Sequence, residues 1–556
     1  MIAHPAHWRR ALLAAACCAA LAMLTLAATG VGVAGTSAAA AARGSGAAPS
    51  ATTSDGAVRG TTAGTVNEFL GIPYAAPPTG NLRWRPPQPP TEWHGVRDAT
   101  QFAPSCPQNP NPNLNPFLPP GPTSEDCLYL NVYTPALRSG DGGDRWGNND
   151  LPVLVWIHGG GLTEDASRNY DPTKLAADGV VAVTINYRLG ALGFLAHPAL
   201  ASWRGGPSGN YGLMDQQAAL RWVQDNIRRF GGDPHNVTIA GESAGGLSVL
   251  AQMVSPGSRG LFQKAIIQSG AFALNQQPLA DAEAVGEAFA TAAGCPDQTA
   301  QCLRNLPVAD LVNTPFSGIP GVVDGRVLTE PIGTALAAGR FARVPILNGT
   351  NHDEERIFVS FGRAISGGTN VQIPEYPVTA DNYQADIAAV LGVPAARAAA
   401  IAAEYPLAAY PSPTVAFSVL TGDANFACPA LQVDQLTSQR VPIFAYEFND
   451  DNAPQVFVPP SLIAPPPVAT HGSELQYLFD LPNAHFPAPL SADQQALAAS
   501  MRAAWVNFAA TGNPATAAVP WPAFGYSAQM LSLVPPQPQI ETDFAASHHC
   551  SFWAAG

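Results

Sequence analysis

Phe230-Gly-Gly-Asp-Pro-His-Asn-Val-Thr-Ile-Ala-Gly-Glu-Ser-Ala-Gly245 is the stretch that decides how this chain folds. It contains G-x-S-x-G as Gly241-Glu-Ser243-Ala-Gly245. The apolar run Val237–Ala240 before it reads as a buried strand, and Gly246–Val254 after it reads as a helix. A serine between strand and helix sits on a sharp turn, with its oxygen projecting from the sheet edge. The two glycines tolerate the backbone crowding of that turn. Alone, G-x-S-x-G recurs by chance in a Gly- and Ala-rich chain. In a strand–turn–helix setting it marks a nucleophile.

A serine hydroxyl attacks poorly at neutral pH. It needs a base for its proton, an acid to orient that base, and donors for the oxyanion. In folds that carry this elbow the chain order is Ser, then Asp or Glu, then His. Of eleven histidines, that order leaves His352, His471, His485, His548 and His549. His352 lies too close to the candidate acids, His485 is flanked by prolines, and His548 and His549 are near the C-terminus. His471, in Ala469-Thr-His-Gly-Ser-Glu-Leu475, is favoured by spacing. Spacing also leaves open an ordinary hydrogen-bonded loop histidine there. Upstream, Val153–Ile157 reads as a strand with His158-Gly-Gly-Gly161 at its end. Consecutive glycines let backbone N–H groups point into one concavity, which is what an oxyanion loop requires.

Further stretches join these pieces: Phe69-Leu-Gly-Ile-Pro-Tyr-Ala-Ala-Pro-Pro78, Ser124-Glu-Asp-Cys-Leu-Tyr-Leu-Asn-Val132, Asn186-Tyr-Arg-Leu-Gly190, Gly209-Asn-Tyr-Gly-Leu-Met-Asp-Gln216 and Ala265-Ile-Ile-Gln-Ser-Gly270. With the elbow and the glycine loop, the chain after residue 55 resembles the type-B carboxylesterase/cholinesterase family of α/β-hydrolases. The resemblance implies a central, mostly parallel sheet flanked by helices, with helical excursions covering the active site. It implies a Ser243, His471, Glu354 triad acting through an acyl-enzyme. The acid position falls in Gly349-Thr-Asn-His-Asp-Glu354-Glu355, where Glu355 stands in place of the family's usual glycine. That second carboxylate leaves a question over which glutamate orients the base, and it is placed to raise the pKa of one of the pair. The resemblance also implies oxyanion donors at Gly160, Gly161 and Ala244, and supporting polar residues at Glu242, Ser269 and Glu474. It implies structural ion pairs of Arg83 with Glu125 and of Arg188 with Asp215, because arginine's planar fork grips a carboxylate at two points.

Eight cysteines, less Cys17 and Cys18 in the N-terminal segment, leave six. Six cysteines allow 15 pairings. The resemblance favours Cys106–Cys127, Cys295–Cys302 and Cys428–Cys550. The N-terminus reads as an export signal: Arg9 and Arg10, then the apolar run Ala11–Ala28, then small residues to Ala42. Residues 1–42 are therefore expected to be a signal peptide and 43–556 a single domain, secreted. Because the apolar run is long, an uncleaved membrane anchor is the alternative. The twin arginines lack the flanking pattern of a folded-export signal, and the residues before Cys17 match a lipidation site poorly.

The formal charge is −14, and removing two arginines with residues 1–42 makes it −16. Only Lys174 and Lys264 are lysines. That balance argues against nucleic acid and anionic membranes as partners. Neither lysine lies three residues after a serine, which excludes a serine β-lactamase motif. No C-x-x-C or H-E-x-x-H spacing occurs, so no metal site and no cofactor are expected.

The element order also reads as α/β. Apolar runs at 153–157, 180–185, 237–239, 265–267, 344–347 and 442–446 alternate with amphipathic stretches such as 214–230. Segments 271–340 and 356–440, rich in alanine, read as helical excursions. The expected partner is a small-molecule ester with a short-to-medium acyl or an aromatic group; the oligomeric state is not read from the sequence. Two rivals stand beside this: a non-catalytic adhesion or binding relative, which usually loses a triad member, and a cholinesterase- or lipase-like specificity. The cholinesterase pattern carries a tryptophan in the first disulfide loop. Residues 107–126 offer Phe117 and no Trp or Tyr, a weaker face for a quaternary ammonium. Glu164 and Asp165 read as a solvated loop face.

Overall fold

In the computed structural model, residues 48–555 are described apart from 111–118, 120, 137–150, 202–205, 207, 317–320, 464–467 and 526–527. Residues 1–42, expected to be a signal peptide, and Phe117 lie outside the described residues. The expected strands form the middle of an eleven-stranded sheet. In chain order its strands are β1 (Thr61–Ala63), β2 (Val66–Pro73), β3 (Tyr129–Pro135), β4 (Leu151–Ile157), β5 (Val181–Ile185), β6 (Gly232–Glu242), β7 (Lys264–Gln268), β8 (Ile346–Asn351), β9 (Ile443–Phe448), β10 (Met530–Leu533) and β11 (Gln539–Glu541). Their order across the sheet is β11-β10-β9-β8-β7-β6-β4-β5-β3-β2-β1. From β10 to β5 neighbours run parallel, and antiparallel strands flank this block at both edges.

The apolar runs are continuous because the parallel block is buried on both faces. Along β4, Val153, Val155 and Ile157 enter one core with Leu220, Val223, Val249 and Leu250. Those four residues come from helices α1 (Tyr211–Asn226) and α2 (Ala244–Val254). The alternate residues Leu154 and Trp156 enter a second core with Leu497, Met501, Trp505 and Phe508 of helix α3 (Ala492–Thr511). A period-two backbone with helices on both sides thus explains why neither face could be polar.

Three expectations need correction. Strand β6 begins at Gly232, ahead of the apolar run, since Gly232 pairs with Leu151 through an irregular register. The amphipathic stretch starts as helix at Tyr211 and tightens into a 3₁₀ turn at Ile227–Phe230. Segment 356–440 is not helical throughout: Arg363–Ser366 pairs antiparallel with Thr369–Gln372. Gly367 and Gly368 both have positive φ, 56° and 84°, as a two-residue hairpin turn demands. The rest of that segment packs around its own core of Tyr383, Ile387, Ile401, Phe417 and Leu420.

Both implied arginine pairs are bidentate. Arg83 holds Glu125 with two contacts of 2.7 Å. Arg188 holds the fully buried Asp215 at 2.7 and 2.6 Å. The three disulfides Cys106–Cys127, Cys295–Cys302 and Cys428–Cys550 are present. The last joins residues 122 apart and fastens the C-terminal turn to the helix Cys428–Thr437. Replacing both Cys428 and Cys550 by serine is expected to lower stability by about 2–5 kcal/mol, through release of the unfolded chain. Urea unfolding measures this, and an unchanged midpoint would contradict it.

Candidate active site

Ser243 stands between β6 and α2 with φ 55° and ψ −124°, a conformation costly for any residue with a Cβ. The strain is imposed by packing. A Cβ on Gly245 would meet the Ile157 carbonyl oxygen at 2.0 Å, and one on Gly241 would meet Gly245 at 2.4 Å. Only glycine lets the helix approach the strands this closely. Ala244 is the first residue of α2, so its N–H has no partner within the helix. The glycine loop follows β4. Gly160 and Gly161 have φ 84° and 60°, and a Cβ on Gly160 would strike the Glu164 carbonyl at 2.3 Å.

Ser243, Gly160, Gly161, Glu242 and His471 line one pocket of about 280 Å³. Six aromatic residues line it as well: Tyr170, Phe272, Phe316, Phe358, Phe426 and Phe457. Phe358 and Phe426 hold the His471 ring, with centroids at 5.1 and 5.2 Å. The hairpin contributes Arg363, Thr369 and Asn370.

His471 Nδ1 lies 2.5 Å from Glu354 Oε2. The other Glu354 oxygen accepts from Ser269 Oγ at 2.5 Å, Thr350 Oγ1 at 2.6 Å and Asn351 N at 2.8 Å. Both oxygens of this buried carboxylate therefore face donors, which offsets its burial. Asn351 Nδ2 donates to Glu474 Oε2 at 2.7 Å, and Gln268 Nε2 donates to Glu474 Oε1 at 3.1 Å. Trp505 Nε1 in turn donates to Gln268 Oε1 at 3.0 Å. Glu355 turns away from the imidazole. Its Oε1 accepts from Ile365 N at 2.9 Å and so anchors the hairpin. Its pKa is pushed well above the carboxylate range chiefly by burial, with Glu354 a smaller influence.

The buried Nε2 of His471 has no hydrogen-bond partner; Glu242 Oε1 lies 3.1 Å away without bonding alignment. Burial works against the His471 cation, but Glu242 and Glu354 outweigh it and push its pKa up to about 9. Glu242's share requires its ionised form, yet burial pushes its own carboxyl well above the usual range. Glu242 is 3% exposed and its Oε1 has no hydrogen-bond donor, so the neutral form is favoured. A neutral Glu242 leaves Glu354 as the principal charge on His471 and frees the base at lower pH.

Glu164 and Asp165 do not form a solvated face. They are 7% and 5% exposed and line the pocket. Asp165 accepts from Ala166 N, Asn169 Nδ2 and Tyr170 OH at 2.7, 2.6 and 2.5 Å. Burial pushes Glu164 well above the carboxylate range. The other candidate histidines lie elsewhere: His548 bonds Asp423 and Glu447, and His549 bonds Glu404. Sequence reasoning missed Thr350, Asn351 and Gln268, which bond the glutamates, and the phenylalanine wall. Thr350 and Asn351 lay inside the quoted acid segment. Nothing in the spacing of Phe272, Phe358 and Phe426 signals a shared wall.

A nucleophile elbow on a mainly parallel sheet, facing a glycine loop, defines an α/β-hydrolase. The carboxylesterase family profile matches residues 47–553. The para-nitrobenzyl esterase of Bacillus subtilis (strain 168) is 35% identical over 514 residues, covering 88% of this chain and 96% of the relative. The acylcarnitine hydrolase of Mus musculus is 37% identical over 500 residues, covering 86% and 84%. A solved structure titled thermophylic PNB esterase superposes with TM-score 0.75 at 33% identity, covering 89% of this chain and 98% of that one. The chain belongs to the carboxylesterase family and is a serine ester hydrolase.

Replacing Glu354 by Gln removes the charge next to Nδ1, so the pKa of His471 is expected to fall in an NMR titration. Glu355→Gln is expected to move it little, because burial already holds Glu355 neutral. Equal shifts would contradict this geometry.

Proposed function

We propose that this carboxylesterase works through a Ser243–His471–Glu354 triad. Ser243 Oγ bonds to the ester carbonyl carbon while His471 Nε2 takes its proton. The carbonyl oxygen becomes an oxyanion, held by the N–H groups of Gly160, Gly161 and Ala244. Collapse breaks the bond to the alcohol oxygen, which leaves with the proton from His471. Water then adds to the acyl-enzyme, giving its proton to the same nitrogen, and Ser243 is released with the carboxylic acid. Glu354 keeps the ring in the tautomer that exposes Nε2 and stabilises the cation. The observation that carries this reading is the 2.5 Å contact of His471 Nδ1 with Glu354, on an imidazole that shares a pocket with Ser243. Ser243→Ala is expected to lower turnover by roughly 10⁶ with the fold intact. A purified, folded variant that kept a substantial fraction of the activity would refute the assignment.

We further propose secretion, supported by the export-type N-terminus and by three disulfides, which persist in oxidising compartments. The N-terminus of the exported chain tests it; a chain that retains Met1 supports the anchored alternative.

For substrate we propose uncharged esters with short-to-medium acyl or aromatic groups. The phenylalanine-rich wall supports this, as does similarity to a para-nitrobenzyl esterase. Choline esters are expected to react more slowly. Lack of a tryptophan platform in loop 107–126 forfeits about 0.5–2 kcal/mol of cation–π binding. Comparison of kcat/KM for butyrylthiocholine and its uncharged thioester isostere checks this, with a loss of up to roughly thirtyfold expected. Preference for the charged ester would overturn it and point to Asp165 in the pocket wall.

A further inference from the structure

We propose that His352, Glu447, His548 and Glu541 form a site for one divalent transition metal of the zinc class, outside the catalytic pocket. One ligand atom each from His352, Glu447 and His548 lies within 4.8 Å of the others. Three separate parts of the fold bring them together. His352 follows directly on β8, and Glu447 lies on β9, which pairs with β8 through Thr350↔Glu447. His548 comes from the C-terminal turn, held two residues later by the Cys428–Cys550 disulfide.

Both ring nitrogens of His548 meet carboxylates. Its Nδ1 lies 2.5 Å from Asp423 Oδ1, and Asp423 Oδ2 accepts from Tyr405 OH at 2.7 Å. A carboxylate on one ring nitrogen is the usual outer-shell device of zinc histidines, and leaves the other nitrogen to the metal once the ion is bound. Without the ion that nitrogen, Nε2, pairs with Glu447 Oε1 at 2.6 Å. Glu447 Oε2 is oriented by Asn449 Nδ2 at 2.8 Å. An ion between Nε2 and Oε1 would push them apart and take both as ligands.

Glu541 supplies the independent observation. Its side chain lies beside that of Glu447, and its buried Oε2 has no hydrogen-bond partner. Two carboxyls pressed together beside further acids at Asp353 and Asp451 make a negative enclosure that a dication relieves. Two imidazoles and two carboxylates suit zinc chemistry. His352, with its side chain 46% exposed, opens the site to solvent.

The four residues span 352 to 548 in the chain, which is why no spacing motif announces them.

The test is calorimetric titration of ZnCl₂ into the full, disulfide-intact protein after chelator treatment. One saturable site per chain is expected. His352→Ala and Glu541→Gln are each expected to weaken it by at least about tenfold, the scale of losing even an outer-shell partner. His471→Ala, which removes the imidazole of the catalytic pocket, is expected to leave it intact. No saturable site, a site indifferent to either of the first two variants, or one lost with His471 would overturn the proposal.

Discussion

The constraint on which the site depends is the close approach of helix α2 to strands β4 and β6. Gly245 sits where any Cβ would lie 2.0 Å from the Ile157 carbonyl oxygen. That approach forces Ser243 into positive φ and points its side chain into the pocket. The cost of that conformation is of order 1–3 kcal/mol. Two hydrophobic cores on opposite faces of the sheet over-determine the turn and offset it. The same β4 ends in the glycine loop, so one strand sets both the packing beside Ser243 and the loop that faces it.

Glu354 is positioned by a second device. Glu354 follows the end of β8, and its outer oxygen is saturated by Ser269, Thr350 and Asn351. Ser269, just past β7, also takes positive φ, 50°. Adjacent strand ends thus fix the carboxylate before it meets His471. On the other side of the ring, a π-helical turn at Asp423–Ala427 carries Phe426 against His471 and Asp423 against His548. A one-residue excess in a helix re-aims side chains, and such turns recur at functional sites. Here one turn joins the catalytic wall to the C-terminal charge cluster.

The elbow and the glycine loop were legible because steric necessity writes glycine into the chain at fixed places. The parallel strands were legible because burial on both faces leaves runs of Val, Ile and Leu. The edge strands β1 and β11 are short and largely polar, so periodicity does not mark them. The hairpin 363–372 was hidden inside a helix-like, alanine-rich region, although Gly367-Gly368 is a turn signal. Glu164 and Asp165 looked like surface residues because acids usually are. Their burial comes from the folding back of a loop onto Gln108 and Tyr170. The phenylalanine wall and the histidine–carboxylate cluster are assembled from distant segments, and a one-dimensional reading has no term for such proximity.

The central claim is that Ser243 is the nucleophile and that His471, held by Glu354, activates it. Reaction with a fluorophosphonate followed by peptide mapping tests it most directly, since only a serine served by a base reacts at an appreciable rate. The account predicts one stoichiometric adduct per chain on Ser243, abolished in His471→Ala. An adduct on another residue, or labelling indifferent to His471, would contradict it.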